Sequence, residues 1–179
     1  MHRSTARPCL ALCILSAVVF LSAPARALEG TCQPVFDAMT RTATMPTHVY
    51  ITLTSPFRAG GKPTTSETIY AGGAIYVKVN GQWIRSAITP EEMLQREEES
   101  LARGKAACRS LHEAFVEGEA ATVYSAHSET QDEKKDVRVW ISKGKGLPLR
   151  EELDLDMGGT LGKSHRSMRY EYGNVQPPL

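Results

Sequence analysis

The stretch that decides the fold is Val137-Arg138-Val139-Trp140-Ile141-Ser142, followed by Leu147-Pro148-Leu149-Arg150-Glu151-Glu152-Leu153-Asp154-Leu155-Asp156 and then by Arg166-Ser167-Met168-Arg169-Tyr170-Glu171-Tyr172. Each segment alternates apolar and polar side chains, the period of a strand with one buried and one wet face. In the middle segment Leu147, Leu149, Leu153 and Leu155 fall on one face, with Pro148, Arg150, Glu152, Asp154 and Asp156 on the other. Three consecutive antiparallel strands are predicted. Such a pattern specifies an architecture before it specifies an activity.

Upstream of these strands the punctuation is clear. Asn80-Gly81 between Val79 and Gln82 is a hairpin signal, because both central positions of the primed turn need a positive φ. It joins strands Ala74 to Val79 and Gln82 to Ile88; Thr65 to Ala71 precedes them across Gly72-Gly73, and Thr47 to Phe57 precedes that. Thr89-Pro90-Glu91-Glu92 announces a helix running to Arg103, since Thr89 can cap, Pro90 suits the first turn and Glu92 completes a capping box. Its apolar stripe is thin, Met93, Leu94 and Leu101, so Glu97 and its neighbours are read as facing water and the helix as packing along one edge. A further hairpin is predicted from Ala107 to Val116 and Ala120 to Ser128, and a helix from Thr31 to Thr42 that ends at Pro46. Helix, strands, helix, strands, without alternating units, predicts an α+β chain.

The first 27 residues have the layout of a secretory signal: His2, Arg3 and Arg7, then the apolar run Cys9 to Ala23, then Ala25-Arg26-Ala27 as a small-x-small cleavage site after Ala27. The apolar run is about 15 residues, short of the roughly 20 that span a bilayer, and no cysteine stands where a lipid anchor would attach. Export to a bacterial periplasm, with no stable membrane anchor after signal removal, is the expectation. The remaining 152 residues, 28–179, suit a single domain and keep 18 basic side chains of the original 21 against 20 acidic ones. A chain so near neutrality has no electrostatic footprint for nucleic acid. Lys134-Lys135 and the acids around Glu129 to Asp136 are read as a solvated connection. Two cysteines remain, Cys32 and Cys108, and in an oxidising compartment they are expected to pair. Closing so long a loop is worth about 4 kcal/mol in the chain-entropy model.

No reactive constellation stands out. His48, His112, His127 and His165 lack metal-ligand spacing, so no metal and no cofactor are expected. Ser164 and His165 point to opposite faces of an extended chain, and the glycine-rich Gly158 to Lys163 joins strands instead of opening a helix, so it is no phosphate cradle. Glu151-Glu152 and Asp154 are read as a solvated strand face and Glu97-Glu98-Glu99 as a solvated helix face. No enzyme is expected.

Tyr76-Val77-Lys78-Val79-Asn80-Gly81-Gln82-Trp83, then a helix, then Trp140-Ile141-Ser142, Gly146-Leu147-Pro148-Leu149-Arg150 and Tyr170-Glu171-Tyr172-Gly173-Asn174-Val175 resemble the LolA-like class of small secreted bacterial proteins, which includes the periplasmic lipoprotein carrier and related lipid-binding proteins. The resemblance implies a curved, incompletely closed antiparallel sheet of about eight to ten strands, with two or three helices over one side and an apolar cavity between. Ile51, Leu53, Ile75, Val77, Val139, Leu149, Leu153, Met168 and Tyr170 are the candidate cavity residues. A soluble carrier or binder of a lipid-like ligand or of lipoprotein acyl chains is implied. The alternative is an envelope protein-interaction or stress-sensing module, using the helix Pro90 to Arg103 and the face bearing Arg150, Glu152 and Asp154; its protein partner is not specified by the sequence. Gly81-Gln82-Trp83 also matches the glycine-x-tryptophan of lipocalins, but there the motif lies in the first strand, whereas here Gly81 belongs to the hairpin turn.

Overall fold

Helix α1 spans Gln33–Thr44 in a computed structural model that describes residues 32–56, 59–103, 105–158 and 162–179. The expected leader and its cleavage point after Ala27 lie outside the described residues, as do Thr31, Phe57, Gly104 and the centre of the loop after Gly158. Pro34 sits in the first turn of α1, where its missing N–H costs nothing. Val35, Ala38 and Thr42 form its buried stripe at three- and four-residue spacing. The Thr42 hydroxyl is satisfied locally by donating to the Ala38 carbonyl at 3.0 Å.

Nine strands follow: β1 Thr47–Thr54, β2 Thr64–Ala71, β3 Ala74–Val79, β4 Gln82–Arg85, β5 Lys105–Val116, β6 Glu119–Glu129, β7 Lys134–Ser142, β8 Pro148–Asp156 and β9 Lys163–Tyr172, with helix α2, Pro90–Arg103, between β4 and β5. They form one sheet in the order β4-β3-β2-β1-β9-β8-β7-β6-β5, each pair antiparallel. Two meanders, β1 to β4 and β5 to β9, are thus joined at the centre where β1 pairs with β9, Thr47 opposite Tyr172 and Ile51 opposite Met168. The sheet is curved and open, the α+β architecture that the LolA-like resemblance implies.

The local signals act as expected. Asn80 and Gly81 take φ of 50° and 81°, and Glu117 and Gly118 form the β5–β6 turn with φ of 50° and 86°. At α2 the capping box closes in both directions: Thr89 N–H donates to Glu92 Oε2 at 2.9 Å, and Glu92 N–H donates to Thr89 Oγ1 at 3.2 Å. Cys32, at the start of α1, is bonded to Cys108 in β5, with Cα atoms 4.9 Å apart.

Helix α2 does not pack along one edge. It connects β4 to β5, which are the two opposite edges of the sheet, so the chain must cross the whole width. Eight flat interstrand gaps would measure about 38 Å, and a helix of 14 residues rises about 21 Å. Curvature shortens the crossing and leaves both helices over the same face.

Register divides the side chains between two faces. The helix-covered, inner face carries the row Tyr124, Val139, Glu151, Met168, Ile51 across β6, β7, β8, β9 and β1. Val35 and Ala38 of α1 pack there on Val139 and Ile141, with Tyr124 beside them. The outer face is not wholly wet, contrary to the simple alternation. Ile69, Ala71, Ala74 and Tyr76 form a second cluster on it, covered by Trp83 and by Val175 of the C-terminal tail, and Pro177 of that tail lies next to Gly72. Trp83 therefore belongs to an outer-face core, which separates it from the lipocalin pattern.

Candidate functional site

Between α1, α2 and the inner face of β5 to β9 lies a cavity of about 130 Å³. Helix α1 contributes Val35, Phe36 and Met39; β5 contributes Ala106 and the disulfide-bonded Cys108; β6, β7 and β8 contribute Ala126, Val137 and Leu153. These positions share the face because Cys108 stands opposite Ala126, Ala126 opposite Val137, and Val137 opposite Leu153. The disulfide does more than close a loop: it fixes the start of α1 to the edge strand and forms part of the wall.

Of the nine expected cavity residues, Leu153 lines this space. Ile51, Leu53, Ile75, Val77, Val139, Met168 and Tyr170 lie along the same inner face by register, and Val139 is 1% exposed within the α1 contact. Leu149 falls in the irregularity where Trp140 pairs with Arg150 but Ile141 pairs with Pro148.

Four charged side chains line this wall: Glu97, Lys135, Glu151 and Arg166. Glu151 is 5% exposed and sits on the inner face between Val139 and Met168. This corrects its reading as part of a solvated strand face; the same alternation that puts Leu153 inward puts Glu151 inward. The Tyr170 hydroxyl donates to Glu151 Oε2 at 2.8 Å. Burial pushes the Glu151 carboxyl above its ordinary value, opposed by the Tyr170 hydrogen bond and the charge of Arg166. The Tyr170 hydroxyl is pushed well up, first by burial and then by Glu151. Arg166, two positions before Met168 on β9, also lines the cavity, and its Nε is buried without a hydrogen-bond partner. Glu97 of α2 does not face open water: it turns to Lys135 at 3.8 Å, and both line the cavity. Lys135 is likewise no free turn residue, since Glu133 holds it at 3.1 Å.

Two further tyrosines extend the polar seam. Tyr172 donates to the Pro148 carbonyl at 2.6 Å, and its ring lies nearly parallel to that of Tyr170, centroids 6.4 Å apart. The Tyr70 hydroxyl reaches Met93 Sδ of α2 at 3.5 Å, and burial pushes its ionisation up. Tyr70 and the Glu97–Lys135 pair thus tie α2 to the sheet, and α2 also packs against α1 and β5.

The outer face has a different chemistry. One row runs Trp140, Arg150, Arg169, Tyr50, Glu67. The Arg150 guanidinium lies 4.9 Å from the Trp140 ring centre and that of Arg169 lies 4.3 Å from that of Tyr50. The two arginines stand opposite each other, and each is paired with a carboxylate two residues along its own strand, Glu152 and Glu171. Lys78 and His48 both bond Glu67, at 2.7 and 3.0 Å. His127 bonds Asp136 and His165 bonds Asp154, each at 2.8 Å. Among the described residues no group of three or more His, Cys, Asp or Glu side chains is placed to hold a metal ion.

No protein-family profile and no curated protein matches the sequence. Solved structures similar to this chain include LprF from Mycobacterium bovis, at 10% identity over 83% of this chain and 94% of that one, with a TM-score of 0.40. A chain of the MucA/MucB complex of Pseudomonas aeruginosa is similar at 10% identity over 81% of this chain and 58% of its own length, TM-score 0.41. A putative outer membrane lipoprotein-sorting protein domain from Vibrio parahaemolyticus is similar at 8% identity over 81% and 94% of the two chains, TM-score 0.26.

Proposed function

We propose that this chain is an exported, non-enzymatic binder of a lipid-like apolar ligand, acting as a soluble carrier of lipid or of lipoprotein acyl chains in a bacterial envelope. The observation that carries the reading is the apolar space enclosed between two helices and the inner face of the sheet. A part-covered apolar concavity with a few convergent polar groups is the usual form of a small-molecule site. The Cys32–Cys108 bond agrees with an oxidising compartment.

At about 130 Å³ the cavity is smaller than the roughly 300 Å³ of the smaller ligand pockets. A longer chain therefore needs the cover to yield. Helix α1 is tied at its start by the disulfide, whereas α2 carries no cross-link and rests on α1 and on non-covalent contacts such as Tyr70–Met93 and Glu97–Lys135, so α2 is the element that moves. Native mass spectrometry and solvent extraction of the protein purified from its own envelope test the reading. A co-purifying lipid is expected; a reproducibly empty protein that also fails to bind a fluorescent fatty acid contradicts it.

A second reading is favoured by the outer row of arginines stacked on Trp140 and Tyr50, an exposed aromatic and cationic surface suited to a protein partner. Crosslinking in intact cells with Arg150→Glu and Glu152→Lys tests it. Loss of a specific crosslink in the variants supports this reading, and an unchanged pattern removes it.

A further inference from the structure

We infer that the ligand of the inner cavity is an amphiphile with a carboxylate head, and that Arg166 receives that head. The inference rests on the lipid-binding reading above and adds the chemistry of the ligand's polar end.

Arg166 lines the cavity, and its Nε–H is buried without a hydrogen-bond partner. In register it stands between Leu153 of β8 and Leu53 of β1, so its neighbours along the row are hydrocarbon. Among the described residues no carboxylate comes within the 4.0 Å of an ion pair with it. The two acids in the wall are otherwise engaged. Glu151 accepts from Tyr170, and burial drives its carboxyl toward the neutral form. Glu97 is turned to Lys135.

A guanidinium keeps its charge under all ordinary conditions. Half-buried beside Leu53 and Leu153, near enough to Glu151 to act on its carboxyl but in no ion pair with it, the side chain leaves an unmade ion pair and a missing acceptor in the cavity wall. A carboxylate supplies both, in the planar two-bond geometry that a guanidinium prefers. Val35, Phe36, Met39 and Leu153 line the same space and would hold the first carbons of the attached chain. The outer-face arginines show the contrast, since Arg150 and Arg169 each have a carboxylate of this chain beside them.

The test is displacement of the neutral probe N-phenyl-naphthylamine from the disulfide-bonded mature chain by decanoate, decanol and decyl phosphate. Decanoate is expected to displace at a concentration roughly tenfold or more below that of decanol. Arg166→Met is expected to bring the two together by removing the advantage of decanoate over decanol, while Arg166→Lys, which keeps the charge but not the fork, retains part of the preference. Circular dichroism verifies folding of each variant, and the wild-type ratio stands as a test even where a variant does not fold. Equal displacement by decanoate and decanol in the wild type overturns the inference, as does the same preference in Arg166→Met. Decyl phosphate surpassing decanoate by roughly tenfold overturns the carboxylate assignment in favour of a phosphate head. If neither the probe nor any of the three compounds binds, the lipid-binding reading itself fails.

Discussion

On the outer face of the sheet Trp140, Arg150, Arg169, Tyr50 and Glu67 stand in one register row, and every charge in it has a partner from this chain. On the inner face Glu151 and Arg166 stand among Val139, Met168, Leu153 and Leu53, with a cavity beside them. The outer charges are solvated and screened, so their pairing contributes little to stability. The inner ones lie where desolvation is costly and where an unmet donor matters. That difference is what the proposed ligand reading rests on, since the inner face is the one covered by two helices and the disulfide.

The largest effect is expected at the cover. Replacing both Cys32 and Cys108 by Ser frees the start of α1 from β5, and a loss of about 2–5 kcal/mol is expected in urea unfolding. Next, Val139→Ala opens a hole beneath α1, at a position 1% exposed, for a loss of roughly 2 kcal/mol by the same measurement. Glu151→Gln sharpens the comparison through pH. The Glu151 carboxyl is raised, so the folded chain keeps a proton that the unfolded chain releases above its ordinary value of 4.5. Stability from this group is therefore complete below that value and declines as pH rises toward the folded one. The variant removes the decline, so its stability relative to wild type should improve progressively as pH rises above 4.5. A difference independent of pH would show that Glu151 is ionised inside the fold. The smallest effect belongs to the outer row: Glu152→Ala, which loses Arg150 and Arg138 as partners, should change stability by less than about 1 kcal/mol.

How much was legible in the sequence follows from the range of each interaction. The Asn80-Gly81 turn, the Thr89 to Glu92 capping box and the alternation of β7 to β9 are local, and each is present in the fold. The disulfide was legible because only two cysteines lie beyond the expected leader, which leaves them a single intramolecular pairing. The pairing of β1 with β9 was not, because no short-range signal links Thr47 to Tyr172. That pairing is what sends α2 across the sheet and turns Glu97 inward. The covering of the outer face by Val175 is equally non-local. Glu151 and Arg166 are a different case. Their parity with Leu153 and Met168 places them inward, whereas their residue type argues for the wet face: a charged side chain in a strand is usually exposed, and only a cavity or partner inside makes the exception.

The central claim is that the space under α1 and α2 is a ligand site. Ala126→Leu tests it most directly, because Ala126 is a wall residue on β6 and a larger side chain there occupies the space itself. With the variant shown to be folded, titration with a fluorescent fatty acid is expected to give an affinity at least about tenfold weaker than wild type. Equal affinity in a folded Ala126→Leu protein would place the ligand elsewhere and contradict the account.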